Sequence, residues 1–298
     1  MSTYIDLLLS TLTQGLIYAQ LASGVFITYT ILDFPDLTVD GSFPLGAAVA
    51  AVLMVGGCDP FLALLAAAGV GALAGFVTGV IHVRLKVRDL LAGIIMMTAL
   101  FSINLQIAGS NLAIGREIDT IFTAAPTMAL FGGLTLMQRK LIVSAVLALV
   151  VKVLMDLYFK TRSGLLLRAA GNNPNVVTAI AKDVGRAKII GLTIANALVA
   201  LSGAIVAQEQ RSFSSTMGTG QMVFGLATVI IGTTIFKKLP FVKGTTAVVV
   251  GSIIYKICIQ IAINLGLPAN LLKLVTAVLF LAILVLGNLQ KGKVKRHA

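Results

Sequence analysis

Long apolar runs recur along the whole of this 298-residue chain, and they constrain its fold more than any other feature. Most of them have the roughly 17–25 residues that a helix needs to cross the hydrocarbon core of a bilayer. Charged residues make up only 11% of the sequence, whereas a soluble domain carries about 25%. A helix satisfies its backbone hydrogen bonds within one segment, as lipid requires. The sequence therefore predicts an all-α polytopic membrane protein.

About nine membrane spans are predicted, with eight and ten as the alternatives. The run at 43–57 is short, which favours a half-span or a broken helix. The first segment lacks a basic region and a small-residue cleavage site, so we expect it to be retained. The predicted spans cover residues 13–32, 43–57, 60–82, 90–109, 140–159, 187–208, 219–236, 245–266 and 271–287.

The basic residues lie mainly in connecting segments and predict the orientation of the chain, because cytoplasmic loops are enriched in Lys and Arg. The C-terminal tail "KGKVKRHA" is expected in the cytoplasm, and alternation puts the basic segments 84–89, 160–186 and 237–243 on the same side. Nine spans then leave the amino terminus outside. This topology accounts for the formal net charge of +12 without a nucleic-acid partner.

The two halves of the chain resemble each other weakly. An apolar span precedes the polar break "DFPDLTVDGSF" at 33–43, and another precedes "EQRSFSSTMGTGQ" at 209–221; a short small-residue-rich span follows each. Interrupted spans at matching positions of two inverted halves indicate a transport pathway. We therefore predict one permease domain over 1–298, with inverted repeats at about 13–109 and 187–287. The alternative is that both breaks are ordinary surface loops.

Residues around the breaks, and polar residues inside spans, are the candidates for a solute pathway, because intramembrane polar groups are functional by default. The apolar and aromatic residues near the second break predict a lining that tolerates aromatic solutes, with ordinary packing as the alternative for each. The candidate pathway residues are Asp40, Phe43, Asn104, Asn196, Phe213, Met217, Met222 and Phe224.

The charged residues Lys152, Asp156 and Lys256 lie well inside predicted spans. Lys152 and Asp156 are four residues apart on one helix face, so they are predicted to pair locally. Lys256 lies in the middle of an apolar run and either faces the bundle interior or a cavity, or extends its long stem toward the interface. The chain has only 11 Asp and Glu residues in total, which argues against ion coupling through buried carboxylates.

No catalytic or nucleotide-binding motif is present. The sequence contains no H-E-x-x-H, no G-x-S-x-G and no Walker A pattern. The chain is therefore not expected to be an enzyme, to bind a metal or cofactor, or to hydrolyse ATP itself. The energy for transport must then come from another source.

The segment 160–186 is polar and basic between two apolar runs. Asn173 is predicted to cap a short helix, with Pro174 at its first position and Gly185 as a left-handed terminator. Such a short helix is marginal in water and needs a partner surface. That surface is the lipid interface, the protein's own loops or a soluble cytoplasmic subunit. The apolar stripe of the helix is formed by Val176, Val177 and Ile180.

Three ordered motifs resemble those of a known family over nearly the whole chain. They are "GLLLRAAGNNPNVV…GLTIANALVALSGAIVAQEQ", "MGTGQMVFGLATVIIG" and the early "DFPDLTVDGSFPLGAAVAA". The chain resembles the permease subunit of bacterial ABC importers of the branched-chain amino acid and ribose permease superfamily, and is most similar to the tryptophan/tyrosine-type subgroup. The resemblance implies a type II-like permease that forms a homodimer in the cytoplasmic membrane. It also implies a cytoplasmic ATPase dimer that holds ATP and Mg²⁺, and an extracytoplasmic binding protein, commonly a lipoprotein.

The same resemblance implies that the short cytoplasmic helix is the coupling helix that contacts the ATPase. The expected function is ATP-driven import of a small solute of the amino-acid class, aromatic members included. An ion-coupled secondary transporter and a non-transporting membrane scaffold remain alternatives. The residues that match the family's coupling region are Arg168, Gly171, Asn172, Asn173, Pro174, Val176, Val177 and Ile180.

Overall fold

The computed structural model describes residues 2–173, 177–178, 183–238 and 242–266, together with 271, 274–278, 280–282 and 285. Helices dominate this part of the chain, and its one sheet has two short strands. The α-helices are α1 (Ser2–Val25), α2 (Val39–Val55), α3 (Pro60–Val83), α4 (Asp89–Ala108), α5 (Ala125–Phe131), α6 (Leu136–Tyr158), α7 (Arg162–Asn172), α8 (Val184–Gln210), α9 (Gln221–Ile235) and α10 (Gly244–Asn264). A π-helical segment, Phe26–Ile31, continues α1, and 3₁₀ turns occur at Ser215–Gly218 and Phe236–Lys238. Strands β1 (Asn111–Ala113) and β2 (Ser212–Ser214) pair antiparallel.

Six helical segments of the described chain are long and apolar enough to cross a membrane: α3, α4, α6, α8, Ser215–Ile235 and α10. α2 is a shorter apolar helix, and α1 is long but carries polar residues such as Thr11 and Gln14. The first eight predicted spans each fall on a helix. The predicted span 271–287 and the C-terminal tail lie largely outside the described residues. Nine spans and the inverted repeat therefore remain predictions.

Side-chain caps explain where several helices begin. Asp59 Oδ1 accepts hydrogen bonds from the amides of Phe61 and Leu62 at the start of α3, where Pro60 occupies the first position. Asp183 does the same at the start of α8, accepting from the amides of Gly185 and Arg186. These carboxylates satisfy amides that have no partner within the helix. Gly185 is thus a first-turn residue of α8, and its prediction as a left-handed terminator was wrong.

α8 forms the centre of the bundle, packed against α1, α2 and α3. The approach is close because glycines lie at the helix crossings. A Cβ added at Gly46 would overlap the Ala200 carbonyl oxygen, and one at Gly75 would overlap that of Leu192. Small residues at interfaces are the usual means of packing helices in lipid, where hydrophobic association gives no driving force.

The outer faces of several helices are strongly apolar and exposed. Leu65 of α3 is 70% exposed, and Leu149 and Leu154 of α6 are 60% and 59% exposed. Apolar surface on this scale marks a membrane-facing surface in a protein of this composition. The protein's core and its lipid-facing surface are therefore both apolar, as expected for a membrane bundle.

Both predicted breaks interrupt helices. After the π-helical segment the chain is non-helical over 32–38, with Asp33 in a left-handed conformation at φ 52°, before α2 begins. The second break comprises β2, the 3₁₀ turn and Gly220, which has φ 85°. α2 itself has 17 residues, which agrees with the prediction of a short span.

α7 was not anticipated from the sequence. It is an 11-residue helix whose start is capped by Thr161, with Leu167 and Ala170 buried. Asn173 ends this helix in an extended conformation, with its amide donating to the Ala169 carbonyl. Extended backbone is also what an N-cap requires, but most of the helix predicted to follow lies outside the described residues. Only Val177 and Thr178 of it are described, and both are helical.

Candidate functional site

A buried carboxylate anchors the first break to the central helix. Asp36 is fully buried; its Oδ1 accepts from the Thr38 amide at 2.9 Å, and its Oδ2 accepts from Asn196 Nδ2 of α8 at 2.7 Å. Asn196 Oδ1 in turn accepts from Ser42 Oγ at 2.7 Å. Paired in this way, the buried groups avoid the cost of desolvation without a partner. The break is therefore a fixed element and not a surface loop.

The second carboxylate of this region, Asp40, joins the two breaks. It lies in the first turn of α2 and accepts hydrogen bonds from the amides of Gly220 at 3.1 Å and Met222 at 2.7 Å. These amides belong to the start of α9, where a negative charge is favoured. Gly218 packs so closely on the Asp40 carbonyl oxygen that a Cβ there would overlap it. Asp40, which follows the first break, thus caps α9, the helix that follows the second break.

A cavity of about 380 Å³ lies beside this contact, between α2, α4 and the second break. Asn104 of α4 lines it and donates from Nδ2 to the Gly41 carbonyl at 3.1 Å. Asn104 Oδ1 is buried with no hydrogen-bond partner in the described part of the chain. Two predicted pathway residues, Asp40 and Asn104, therefore line the same cavity.

A larger cavity of about 590 Å³ lies between α1, the start of α9 and α10. Phe224 and Met217, both predicted pathway residues, line it. Its aromatic wall continues inward: the Tyr18 ring centroid lies 4.8 Å from that of Phe224 and 5.8 Å from that of Phe43. Phe224 also meets Tyr255 edge-on, with centroids 4.9 Å apart.

The remaining predicted pathway residues are enclosed by protein. Phe213 is 1% exposed and Met222 is 3% exposed. Asn196 is fully buried and its amide is used within the chain, by Asp36, Ser42 and Leu192. The structure thus separates the eight candidates into cavity-lining residues and residues that hold the breaks in position.

Asp156 is the centre of a polar cluster between α6 and α10. It pairs with Lys152 at 3.3 Å, which confirms the predicted local pair, and also with Lys243 at 2.9 Å. Thr245 Oγ1 donates to it at 2.6 Å. A small cleft of about 180 Å³ beside this cluster is also lined by Phe26 of the π-helical segment and Arg168 of α7.

α7 lies directly against the π-helical segment. A Cβ at Gly171 would overlap the Ile31 carbonyl oxygen, so only glycine permits this approach. Arg168 stacks over the Phe159 ring, 4.6 Å from its centroid. Both residues belong to the predicted coupling region, and both contact the protein itself.

The other predicted coupling residues differ in their surroundings. Asn172 and Asn173 are exposed. Val177 is fully buried within this chain, so it is not part of a free apolar stripe, and the protein's own core is its partner. Pro174, Val176 and Ile180 lie outside the described residues.

Sequence reasoning missed several residues that form these sites. Asp36 is one of three carboxylates in the predicted first break, with Asp33 and Asp40, and nothing in the sequence indicates that Asp36 is the fully buried one. Tyr18 lies inside a predicted span and outside both breaks, and only the fold brings it to Phe224. Its polar ring within an apolar run was the available signal.

Comparisons with known proteins agree on one family. A profile described as "Branched-chain amino acid transport system / permease component" matches residues 7–284. The chain is 40% identical over 291 residues to the tyrosine transport system permease protein of Clostridioides difficile, covering 98% of this chain and 95% of that protein. It is 28% identical over 232 residues to the ribose import permease protein of Escherichia coli, covering 77% and 70% of the two chains.

One solved structure has a related fold. It is described as PsaBC from Streptococcus pneumoniae in complex with Fab, and it aligns with a TM-score of 0.51 at 13% identity. The alignment covers 92% of this chain and 89% of that one. At this identity the likeness concerns the arrangement of helices alone.

Proposed function

The chain belongs to the family of permease components of branched-chain amino acid transport systems, and we propose that it is the membrane-spanning subunit of an ATP-driven importer of amino acids, aromatic ones included. Proteins of this family are multi-pass transport subunits of the cytoplasmic membrane and are not enzymes. The aromatic substrate class is supported by the 40% identity to a tyrosine transport permease. It is further supported by the aromatic wall of the larger cavity.

In this proposal the chain acts as a homodimer with two kinds of partner. A cytoplasmic ATPase dimer holds ATP and Mg²⁺, and an extracytoplasmic binding protein delivers the solute. No cofactor is assigned to the chain itself, and the part that the structure describes has no group of three or more residues suited to a metal. The segment 160–186 and the C-terminal tail face the cytoplasm, and residues 13–109 and 187–287 act as inverted repeats.

The observation that carries the proposal is the contact between the two breaks. Non-helical backbone inside a membrane protein is tolerated where it is buried or lines a cavity, and both conditions hold here. Because Asp40 caps α9, a shift of α2 must either move α9 or break two hydrogen bonds. The cavities on either side of this contact would then change shape together.

A continuous set of contacts supports coupling from α7 to this region. Gly171 packs on the Ile31 carbonyl, and the chain then passes through the first break to Asp36 and Asp40. Leu32 and Leu167 both pack on the site of Gly191 in α8. A movement of α7 driven by an ATPase would therefore reach the start of α2 through eight residues of backbone, from Ile31 to Thr38. The exposed Asn172 and Asn173 are the residues on which the ATPase would press.

Co-purification combined with transport tests the proposal. Affinity-tagged protein, extracted from its own host's membranes, is expected to retain an ATPase that mass spectrometry identifies. The complex, reconstituted with the binding protein, is expected to accumulate radiolabelled tyrosine when ATP is supplied. The variant Gly171→Ala is expected to keep the ATPase bound while losing most ATP-driven uptake, because the added methyl displaces α7 from Ile31.

Gly69→Ala is the matched control, since a Cβ at Gly69 meets open space. Full uptake by Gly171→Ala would show that α7 does not transmit movement through this contact. An absence of any ATPase, together with uptake that follows an ion gradient, would establish the secondary-transporter alternative. An absence of solute flux under both conditions would favour a non-transporting scaffold.

A further inference from the structure

Lys256 lies within the membrane-spanning helix α10, against two aromatic rings. Its Nζ lies 3.6 Å from the centroid of the Tyr18 ring and 5.1 Å from that of Phe224. No ion pair involving Lys256 occurs among the described residues, whereas Lys152 and Lys140 are each paired with a carboxylate. Glu209, the carboxylate at the end of α8, is held by Lys140 at 2.8 Å.

An ammonium within a membrane span is costly and marks a functional site by default. Two aromatic faces stabilise the charge partially, but they accept no N–H hydrogen bond as strongly as an anion does. The lysine has three donors, so an anion entering beside it gains charge-assisted hydrogen bonds. A residue that served only to pack the helices would need no charge here.

Lys256 and both rings line the 590 Å³ cavity, whose volume is typical of a small-molecule site. None of the described lining residues is Asp or Glu. Amide groups that both donate and accept hydrogen bonds complete the polar lining. They belong to Gln14, Gln221 and Gln260.

We propose that this cavity binds the carboxylate of the transported solute, with Lys256 as the counter-charge and Tyr18 and Phe224 as the wall on which an apolar or aromatic side chain packs. The ligand class is a small carboxylic acid, including neutral and aromatic amino acids. Cationic amino acids and amines are disfavoured, because they meet Lys256 without an acidic residue in the described lining. This assignment rests on the proposed function for its substrate class.

The cavity borders the contact between the two breaks. Met217, Thr219 and Gly220 form part of its wall, and Gly220 is one of the two residues whose amides Asp40 holds. A solute bound against this wall therefore lies next to the contact between the two breaks. Binding and the position of α9 are consequently linked.

The test uses saturation-transfer NMR on the purified full chain in phosphatidylcholine nanodiscs, which detects weak ligands and needs no ATPase. The probes are L-tyrosine, 3-(4-hydroxyphenyl)propionate, which lacks the amine, and tyramine, which lacks the carboxylate. The two carboxylates are expected to bind and tyramine is not. Lys256→Met should weaken tyrosine binding by about tenfold or more, the usual effect of losing a charge-assisted hydrogen bond.

Lys256→Arg, which keeps the charge, should retain most of the binding, and this separates a charge effect from misfolding. Lys237→Met removes an exposed lysine in the 3₁₀ turn that follows α9 and is expected to bind as the wild type does. Equal binding of tyramine, or wild-type binding by Lys256→Met, would overturn the proposal. Displacement of tyrosine by added phosphatidylglycerol would do so as well, because it would make the cavity a site for anionic lipid.

The two proposals fail separately. If the carboxylate probes bind through Lys256 but ATP never drives tyrosine uptake, the site stands and the importer assignment fails. If uptake is ATP-driven and Lys256→Met changes neither binding nor uptake, the importer assignment stands and the site fails.

Discussion

The buried pair between Asp36 and Asn196 gives the sharpest prediction of stability. Replacing Asp36 with Asn keeps the shape of the side chain and its Oδ1 acceptor for the Thr38 amide. The new Nδ2 then faces Asn196 Nδ2 across the 2.7 Å contact, so that two donors meet. Rotating the Asn196 amide by 180° removes this conflict but places its oxygen against the Leu192 carbonyl. In the wild type that carbonyl accepts a hydrogen bond from Asn196 Nδ2 at 3.1 Å.

Either arrangement places two donors or two acceptors against each other in a buried site, which costs about 1–3 kcal/mol. In a chain of this length a loss of about 2 kcal/mol lowers the Tm by roughly 4–8 °C. The double variant Asp36→Asn with Asn196→Asp should regain part of the loss, because a donor again faces an acceptor. It should not regain all of it, since a carboxylate oxygen introduced at position 196 then lies against the Leu192 carbonyl oxygen.

The assay is thermal unfolding in detergent, followed by a thiol-reactive fluorophore on the two free cysteines, Cys58 and Cys258, both of which are partly buried. Asp33→Asn is the matched control, because Asp33 lies in the same break and is exposed. The reasoning is refuted if Asp36→Asn and Asp33→Asn unfold at the same temperature.

Three further predictions concern packing and capping. Asp40→Ala removes the acceptor for the Gly220 and Met222 amides. We expect the free energy of unfolding to fall by about 1–2 kcal/mol and amide hydrogen exchange at the start of α9 to become faster. Unchanged exchange would contradict this prediction. Gly203→Ala sets a methyl group into the Phe43 carbonyl and should lower the Tm, whereas an unchanged Tm would mean that these helices can separate freely. Val177→Asp buries a charge without a partner and should reduce the folded yield in size-exclusion chromatography. A normal yield together with lost ATPase binding would instead show that Val177 contacts the ATPase.

The helical bundle was predictable because the membrane leaves few alternatives. Spans such as 60–82 and 90–109 coincide closely with α3 and α4, since each is a long apolar run bounded by polar residues. The two breaks were predictable for the same reason, as polar segments that a continuous apolar helix does not contain. The pair between Lys152 and Asp156 followed from helical spacing alone.

Elements outside the apolar runs were harder to predict. The short helix was expected from Asn173 onward, yet α7 occupies 162–172 and Asn173 ends it. Caps are local signals, and an Asn before a Pro fits either end of a helix. What decides is tertiary contact: Leu167 is buried and Gly171 packs on Ile31, and neither fact is visible in the local sequence.

In the candidate pathway, too, local sequence identified residues but not their tertiary partners. Asp40 and Phe224 were identified by their nearness to the breaks, but the partners that define their roles are remote in the chain. Asp40 meets Gly220 and Met222, 180 and 182 residues away. Lys256 was recognised as unusual, whereas the rings beside it come from α1 and α9. Long-range pairings of this kind are set by the packing of whole helices.

The central claim is that ATP hydrolysis on a partner drives solute through this chain. Its most direct test is uptake of radiolabelled tyrosine into proteoliposomes that contain the purified complex and its binding protein, with ionophores present to collapse all ion gradients. The account predicts accumulation that requires ATP, persists with ionophores and is lost in Gly171→Ala but not in Gly69→Ala. Accumulation that ionophores abolish, or that proceeds without ATP, would contradict it.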